Sequence, residues 1–264
     1  MTERPLTTGT PDDIVISGAV AHFEPIGLPE LERVALMNRY DTKYLVSIEQ
    51  MRSILAAVSG DYRVLDVDGV RLNRYRTCYF DTDGFAFYLD HHAGKPTRYK
   101  VRSRAYLESG QAFLEVKKKR GGRTEKERMR VAQLDFGLPD GADAFLASRI
   151  PVSGALLAPK LVNSFSRITL AGSARPERVT IDIDLEFEAD GRSLALPGLA
   201  IAEVKQAGID RGSPLVRQMR AACLRSTAFS KYCIGAALVY HQLKHNRFKP
   251  VLDRIGSLTG DFHV

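Results

Sequence analysis

Lysine and arginine recur at every second position in several separate stretches of this chain. Arg98, Lys100, Arg102 and Arg104 make one row. Glu115, Lys117 and Lys119 follow Phe113 in a second, and Lys126, Arg128 and Arg130 follow Thr124 in a third. Arg39, Asp41 and Lys43 repeat the spacing upstream, and Glu203 and Lys205 repeat it near residue 200. Asp182, Asp184 and Glu186 alternate with Ile181, Ile183 and Leu185. Residues two apart on a strand share a face, so each row is a charged face backed by an apolar one. One such face alone reads equally as a wet outer surface. Several together suit a polyanion, because Arg offers fork-shaped donors to phosphate oxygens and Lys a compact charge. The acids Asp182, Asp184, Glu186 and Glu203 are hard oxygen donors of the kind Mg or Mn takes.

Something must hold those rows face to face. Strands are expected over residues 39–46, 74–82, 97–107, 111–119, 124–131, 160–170, 178–187 and 199–206, with short ones at 62–67 and 192–196. Gly110 and Gly121-Gly122 mark tight hairpins between three of them. Helices are expected after Ser47, after Asp83-Gly84, over 135–149, after Ser213 and over 230–246. Such a series predicts an α+β fold: a closed or nearly closed antiparallel β-barrel, cationic inside, with helices outside and at its ends. Residues 1–28 open with a polar Pro/Gly/Thr-rich stretch and are expected to be disordered. The barrel domain is placed at 29–246 and a C-terminal tail at 247–264.

Composition narrows the function. The chain has 264 residues and a net charge of +7. Residues 95–130 hold thirteen Lys and Arg against four acids, more than the whole excess. That concentration points to an anionic partner. No RNP, KH or helix-turn-helix signature supports nucleic acid, so none is expected. No apolar run reaches the length of a membrane helix and no export signal is visible, which predicts a cytoplasmic protein. Cys78, Cys223 and Cys233 form no CxxC pair and read as buried apolar residues. Gly94-Lys95-Pro96 lacks the remaining P-loop residues. His91 and His92 read as surface residues. His241 and His245 have helical spacing but no third ligand.

The ordered motifs resemble a family. Asn38-Arg39-Tyr40-Asp41-Thr42-Lys43-Tyr44, Tyr79-Phe80-Asp81-Thr82, Arg98-Tyr99-Lys100-Val101-Arg102-Ser103-Arg104, Phe113-Leu114-Glu115-Val116-Lys117 and Lys126-Glu127-Arg128 are similar to the VTC domain. So are Asn163-Ser164-Phe165-Ser166-Arg167, Ala202-Glu203-Val204-Lys205 and Phe229-Ser230-Lys231-Tyr232. That domain is the catalytic part of the vacuolar transporter chaperone complex, a polyphosphate polymerase. The resemblance implies a triphosphate-tunnel fold and a divalent ion, Mn or Mg. It also implies transfer of the ATP γ-phosphate to a growing polyphosphate. By the family's pattern Lys43, Arg102, Arg104, Lys117, Lys126, Arg167 and Lys231 act on the phosphates. Arg39, Arg98, Lys100, Lys119, Arg128, Lys205 and Ser230 extend the substrate contacts, and Glu203 holds the metal. Phe165 stands where related sequences tend to have tyrosine, which removes one phosphate donor. The first strand carries Arg39-x-Asp41-x-Lys43 and not the Glu-x-Glu-x-Lys of the CYTH triphosphatases. Triphosphate hydrolysis and non-catalytic polyphosphate or nucleic-acid binding stay open as alternatives. So does a separate membrane partner.

Overall fold

The computed structural model describes residues 9–33, 40–121, 123–134 and 136–260. In chain order the elements are α1 (Pro11–Val20), β1 (Glu24–Ile26), α2 (Leu28–Arg33), β2 (Tyr40–Ser47), α3 (Ile48–Ala57), β3 (Tyr62–Leu65), β4 (Asn73–Thr82) and α4 (Ala86–Ala93). The hairpin strands β5 (Thr97–Tyr106), β6 (Gln111–Arg120) and β7 (Arg123–Val131) follow, then α5 (Ala142–Ala147). The rest is β8 (Leu157–Gly172), β9 (Glu177–Ala189), β10 (Arg192–Leu196), β11 (Leu199–Gln206), α6 (Pro214–Ala221), α7 (Lys231–Val239) and α8 (Lys249–Thr259).

The main sheet runs β2-β11-β9-β8-β4-β5-β6-β7, antiparallel throughout. It curls into a half-barrel whose end strands, β2 and β7, do not pair with each other. The Lys43 carbonyl instead accepts from Thr227 N–H at 2.8 Å, so the α6–α7 connection runs along the free edge of β2.

The alternation in the sequence sorts the two faces. Val46, Ile168, Leu170, Val179, Ile181, Ala202 and Val204 lie on the convex face, under α1, α3 and α6. Cys78, Phe80, Val101, Leu114 and Val116 continue it under α4 and α5. The concave face changes character along each strand. Lys43 gives way to Leu45, Glu203 to Ile201 and Leu199, and Arg167 to Phe165 and Leu161. The apolar half of that face is stopped by α7, which is buried from Tyr232 to Val239. Gly235 lets α7 come that close: a Cβ there would lie 2.3 Å from the Phe187 ring and 2.7 Å from Leu161.

Several expectations change. Residues 9–28 are ordered: Ile16, Val20 and Phe23 are buried, and Arg71 donates to the carbonyls of Val20, Ala21 and Phe23 at 2.9, 2.9 and 3.2 Å. Residues 1–8 lie outside the described residues. The tail is mostly α8, whose Leu252 and Ile255 extend the core around α7. Among the described residues of 135–149 only Ala142–Ala147 is helical, and α7 ends at Val239, before His241 and His245. Cys223 is exposed, while Cys78 and Cys233 are buried.

Candidate functional site

Ser47, Ser213 and Ser230 each cap a helix through the side-chain oxygen, as the sequence suggests. The Ser230 cap matters most, because it starts α7 where Lys231 enters the concave face. Asp81 fixes the same helix from outside the cavity. Its carboxylate accepts from Phe87 and Tyr88 N–H at 2.9 Å each, and from the Tyr232 hydroxyl at 2.6 Å. One buried acid thereby ties α4, α7 and β4 together.

The polar half of the concave face encloses a cavity of about 530 Å³. Lys43, Lys100, Arg102, Arg104, Lys117, Lys126, Arg167, Lys205, Ser230, Lys231 and Glu203 all line it. Arg98, Lys119 and Arg128 do not. Arg98 and Lys119 pair two register positions beyond Lys100 and Lys117, beside the β6–β7 turn. Arg128 is exposed, its guanidinium 4.5 Å from the centre of the Phe113 ring. Arg39 lies outside the described residues.

Three carboxylates each hold two cations. Glu203 meets Lys43 at 2.5 Å and Lys205 at 2.9 Å. Asp182 meets Arg167 at 2.5 and 2.8 Å and also binds Lys231. Glu115, 1% exposed, meets Arg102 at 2.7 Å and Lys126 at 2.5 Å. Burial alone would raise the pKa of each acid, but the paired cations prevail and hold all three below the usual carboxylate range, Glu115 at about 2.

Lys100 and Lys117 form no ion pair among the described residues. They sit opposite each other, with Lys126 on the far side of Lys117. Burial first, then Lys100 and Lys43, bring Lys117 down to about 7. Arg104 donates to Thr77 Oγ1 at 3.0 Å.

The row Asp182, Asp184 and Glu186 does not share one face. Asp184 has φ of 50° and sits where the β8–β9 register shifts between Ser164 and Ser166. That bulge re-aims the strand. Asp184 accepts from Thr10 Oγ1 at 2.8 Å and Glu186 from Ser193 Oγ at 2.6 Å, both away from the cavity. Asp182 faces the cavity, but its two oxygens are held by Arg167 and Lys231.

Two further residue roles were not legible. Tyr75 lines the cavity and stacks on the buried Phe165 at 5.1 Å. His91, read as a surface residue, has its Nε2 buried. Burial first, then Lys100 and Arg98, push it down to about 2.

Comparison with known proteins places the chain. The sequence profile of the VTC domain matches residues 38–139 and 146–240. The chain belongs to the VTC domain family. Its fold is shared with a putative adenylyl cyclase from Hippeastrum described as having a dominant triphosphatase activity. The identity there is 14% over 76% of this chain and 96% of that one, with a TM-score of 0.52. Putative adenylate cyclases from Vibrio parahaemolyticus and Bacillus halodurans are also similar. The former is 16% identical over 75% of this chain and 98% of that chain, TM-score 0.45, and the latter 13% over 77% and 100%, TM-score 0.46. No curated protein sequence matches. No described helix of this VTC-domain chain is long and apolar enough to cross a membrane.

Proposed function

We propose that this VTC-domain chain is a polyphosphate polymerase that transfers the ATP γ-phosphate to the end of a polyphosphate in its concave cavity. The observation that carries the reading is the cavity lining, in which eleven Lys and Arg face four acids. Phosphoryl transfer spreads negative charge over the equatorial oxygens, so fixed cations and positioning supply most of the catalysis. Arg102, Arg104, Arg167, Lys117, Lys126, Lys43 and Lys231 would hold successive phosphates in line. The acceptor is itself a phosphate oxygen and needs no protein nucleophile.

A divalent ion, Mn or Mg, fits one carboxylate here. Among the described residues no three His, Cys, Asp or Glu side chains converge on a metal position. The donors therefore suit an ion that shares its coordination with substrate oxygens and water, with Glu203 as the protein ligand. Such an ion would neutralise charge developing on the phosphates. Lys43 and Lys205, which pair with Glu203, would then turn to phosphate oxygens.

Hydrolysis of triphosphate is the second reading, favoured by the activity described for the Hippeastrum protein that shares the fold. Incubation with ATP and Mn, with polyphosphate and free phosphate read separately, decides between them. Polymer supports the polymerase; free phosphate with no polymer at any time point replaces it with a triphosphatase.

A further inference from the structure

The innermost cations of the cavity stand on rings. Lys231 Nζ lies 4.2 Å from the centre of the Phe165 ring. The Arg167 guanidinium lies 5.2 Å from Phe165 and 5.0 Å from Tyr75, and that of Arg104 lies 5.6 Å from each. The two rings are nearly parallel, at 8°. Three cations therefore share one pair of stacked rings, and among the described residues Asp182 is the one carboxylate paired with any of them, holding Arg167 and Lys231. A carboxylate that fixes a lysine also neutralises it. A ring face fixes it through the quadrupole and leaves its charge and its N–H donors for a ligand.

We propose that Phe165 is a positioning residue, holding Lys231, Arg167 and Arg104 as one cluster that receives the innermost phosphate of the substrate. The proposal rests on the phosphate-binding reading of the cavity. It also gives Phe165 a task that a phenolic hydroxyl is not needed for: the ring orders the donors and does not donate. The charged groups that face Lys231 are Asp182 from β9, Arg167 from β8 and Arg104 from β5. Burial first, against the pull of Asp182, brings its amine down to about 8.

The test compares Phe165→Leu and Phe165→Tyr with the parent chain. Isotope-labelled lysine, assigned by Lys231→Arg, reports the Lys231 titration by NMR, and calorimetry reports tripolyphosphate binding. Loss of the ring should lower the Lys231 midpoint by about one pH unit and weaken tripolyphosphate about tenfold, at unchanged fold. Phe165→Tyr should keep both values. If Phe165→Leu does not fold, Phe165→Met, similar in volume and without a ring, replaces it. A folded, ringless variant with both values unchanged overturns the proposal, as does a tyrosine variant that behaves like leucine. If the parent chain fails to bind tripolyphosphate, the phosphate reading fails, and the Lys231 titration alone decides whether Phe165 positions the cation.

Discussion

The two walls of the cavity treat their cations differently. On the β2, β11, β9 and β8 side, Glu203 and Asp182 each bridge two basic groups, with Lys231 reaching in from α7. On the β5, β6 and β7 side, Glu115 holds Arg102 and Lys126, while Lys100, Lys117 and Arg104 have no carboxylate partner among the described residues. The first wall is pre-organised, its charges held in place before any ligand arrives. The second stores repulsion that a polyanion relieves. A site built wholly in the first manner would have little charge left to bind with. One built wholly in the second would be hard to fold.

Removing an acid from the paired wall should have the largest effect. Asp182→Asn leaves Arg167 and Lys231 buried together, and breaking a buried pair of this kind costs about 3–5 kcal/mol. Thermal unfolding should show the loss, and added tripolyphosphate should restore more stability to the variant than to the parent. Equal stabilisation of both would contradict the pairing argument. Glu203→Gln should leave the fold intact yet lower metal-dependent turnover about a hundredfold to a thousandfold, the scale of losing one preorganised charge contact. Full activity with Mn would move the metal ligand elsewhere.

The unpaired wall should respond in the opposite sense. Lys117→Met removes a repelling charge, so the empty protein should melt at a higher temperature while tripolyphosphate affinity falls about tenfold. The pH dependence follows from the same charge. The folded pKa of Lys117 is about 7, below the usual lysine value, so the folded chain carries fewer protons than the unfolded one above pH 7. Stability therefore rises with pH from about 7 towards the usual lysine value. A bound polyanion favours the charged amine, so binding near pH 8 should take up protons and weaken as pH rises. Calorimetry in buffers of different ionisation enthalpy measures that uptake, and Lys117→Met should reduce it.

Much of this was legible because strand alternation is strict. The rows through Lys100, Lys117 and Lys126 were in the sequence, and neighbouring strands in register bring them side by side. What breaks alternation was hidden. Asp184 continues the row from Asp182 in sequence, but a bulge sets it on the other side of the strand. Phe165 read as a lost donor because its use depends on three cations from β5, β8 and α7. The order of residues 9–28 depended on arginines far along the chain, Arg71 above all. The ordered tail depended on a core that α8 helps complete. Neither is visible in local composition.

The smallest effect belongs to the rim, where the contrast between the walls fades. Arg128 follows Lys126 on β7 and pairs in register with Glu115, so its sequence spacing matches that of cavity residues. The side chain is nevertheless exposed, and an exposed cation–ring contact such as that with Phe113 is worth about 0.5–1 kcal/mol. Water and salt already screen it. Arg128→Ala should weaken tripolyphosphate less than about threefold near physiological salt, where the screening length is about 8 Å. Even that difference should vanish as salt rises. Lys117→Met should keep most of its deficit under the same conditions, because the Lys117 charge is screened by protein and not by solvent. A salt titration of the two variants side by side reads this directly. If the Arg128 deficit proved as large and as resistant to salt as that of Lys117, the phosphate path would extend past the described cavity along β7.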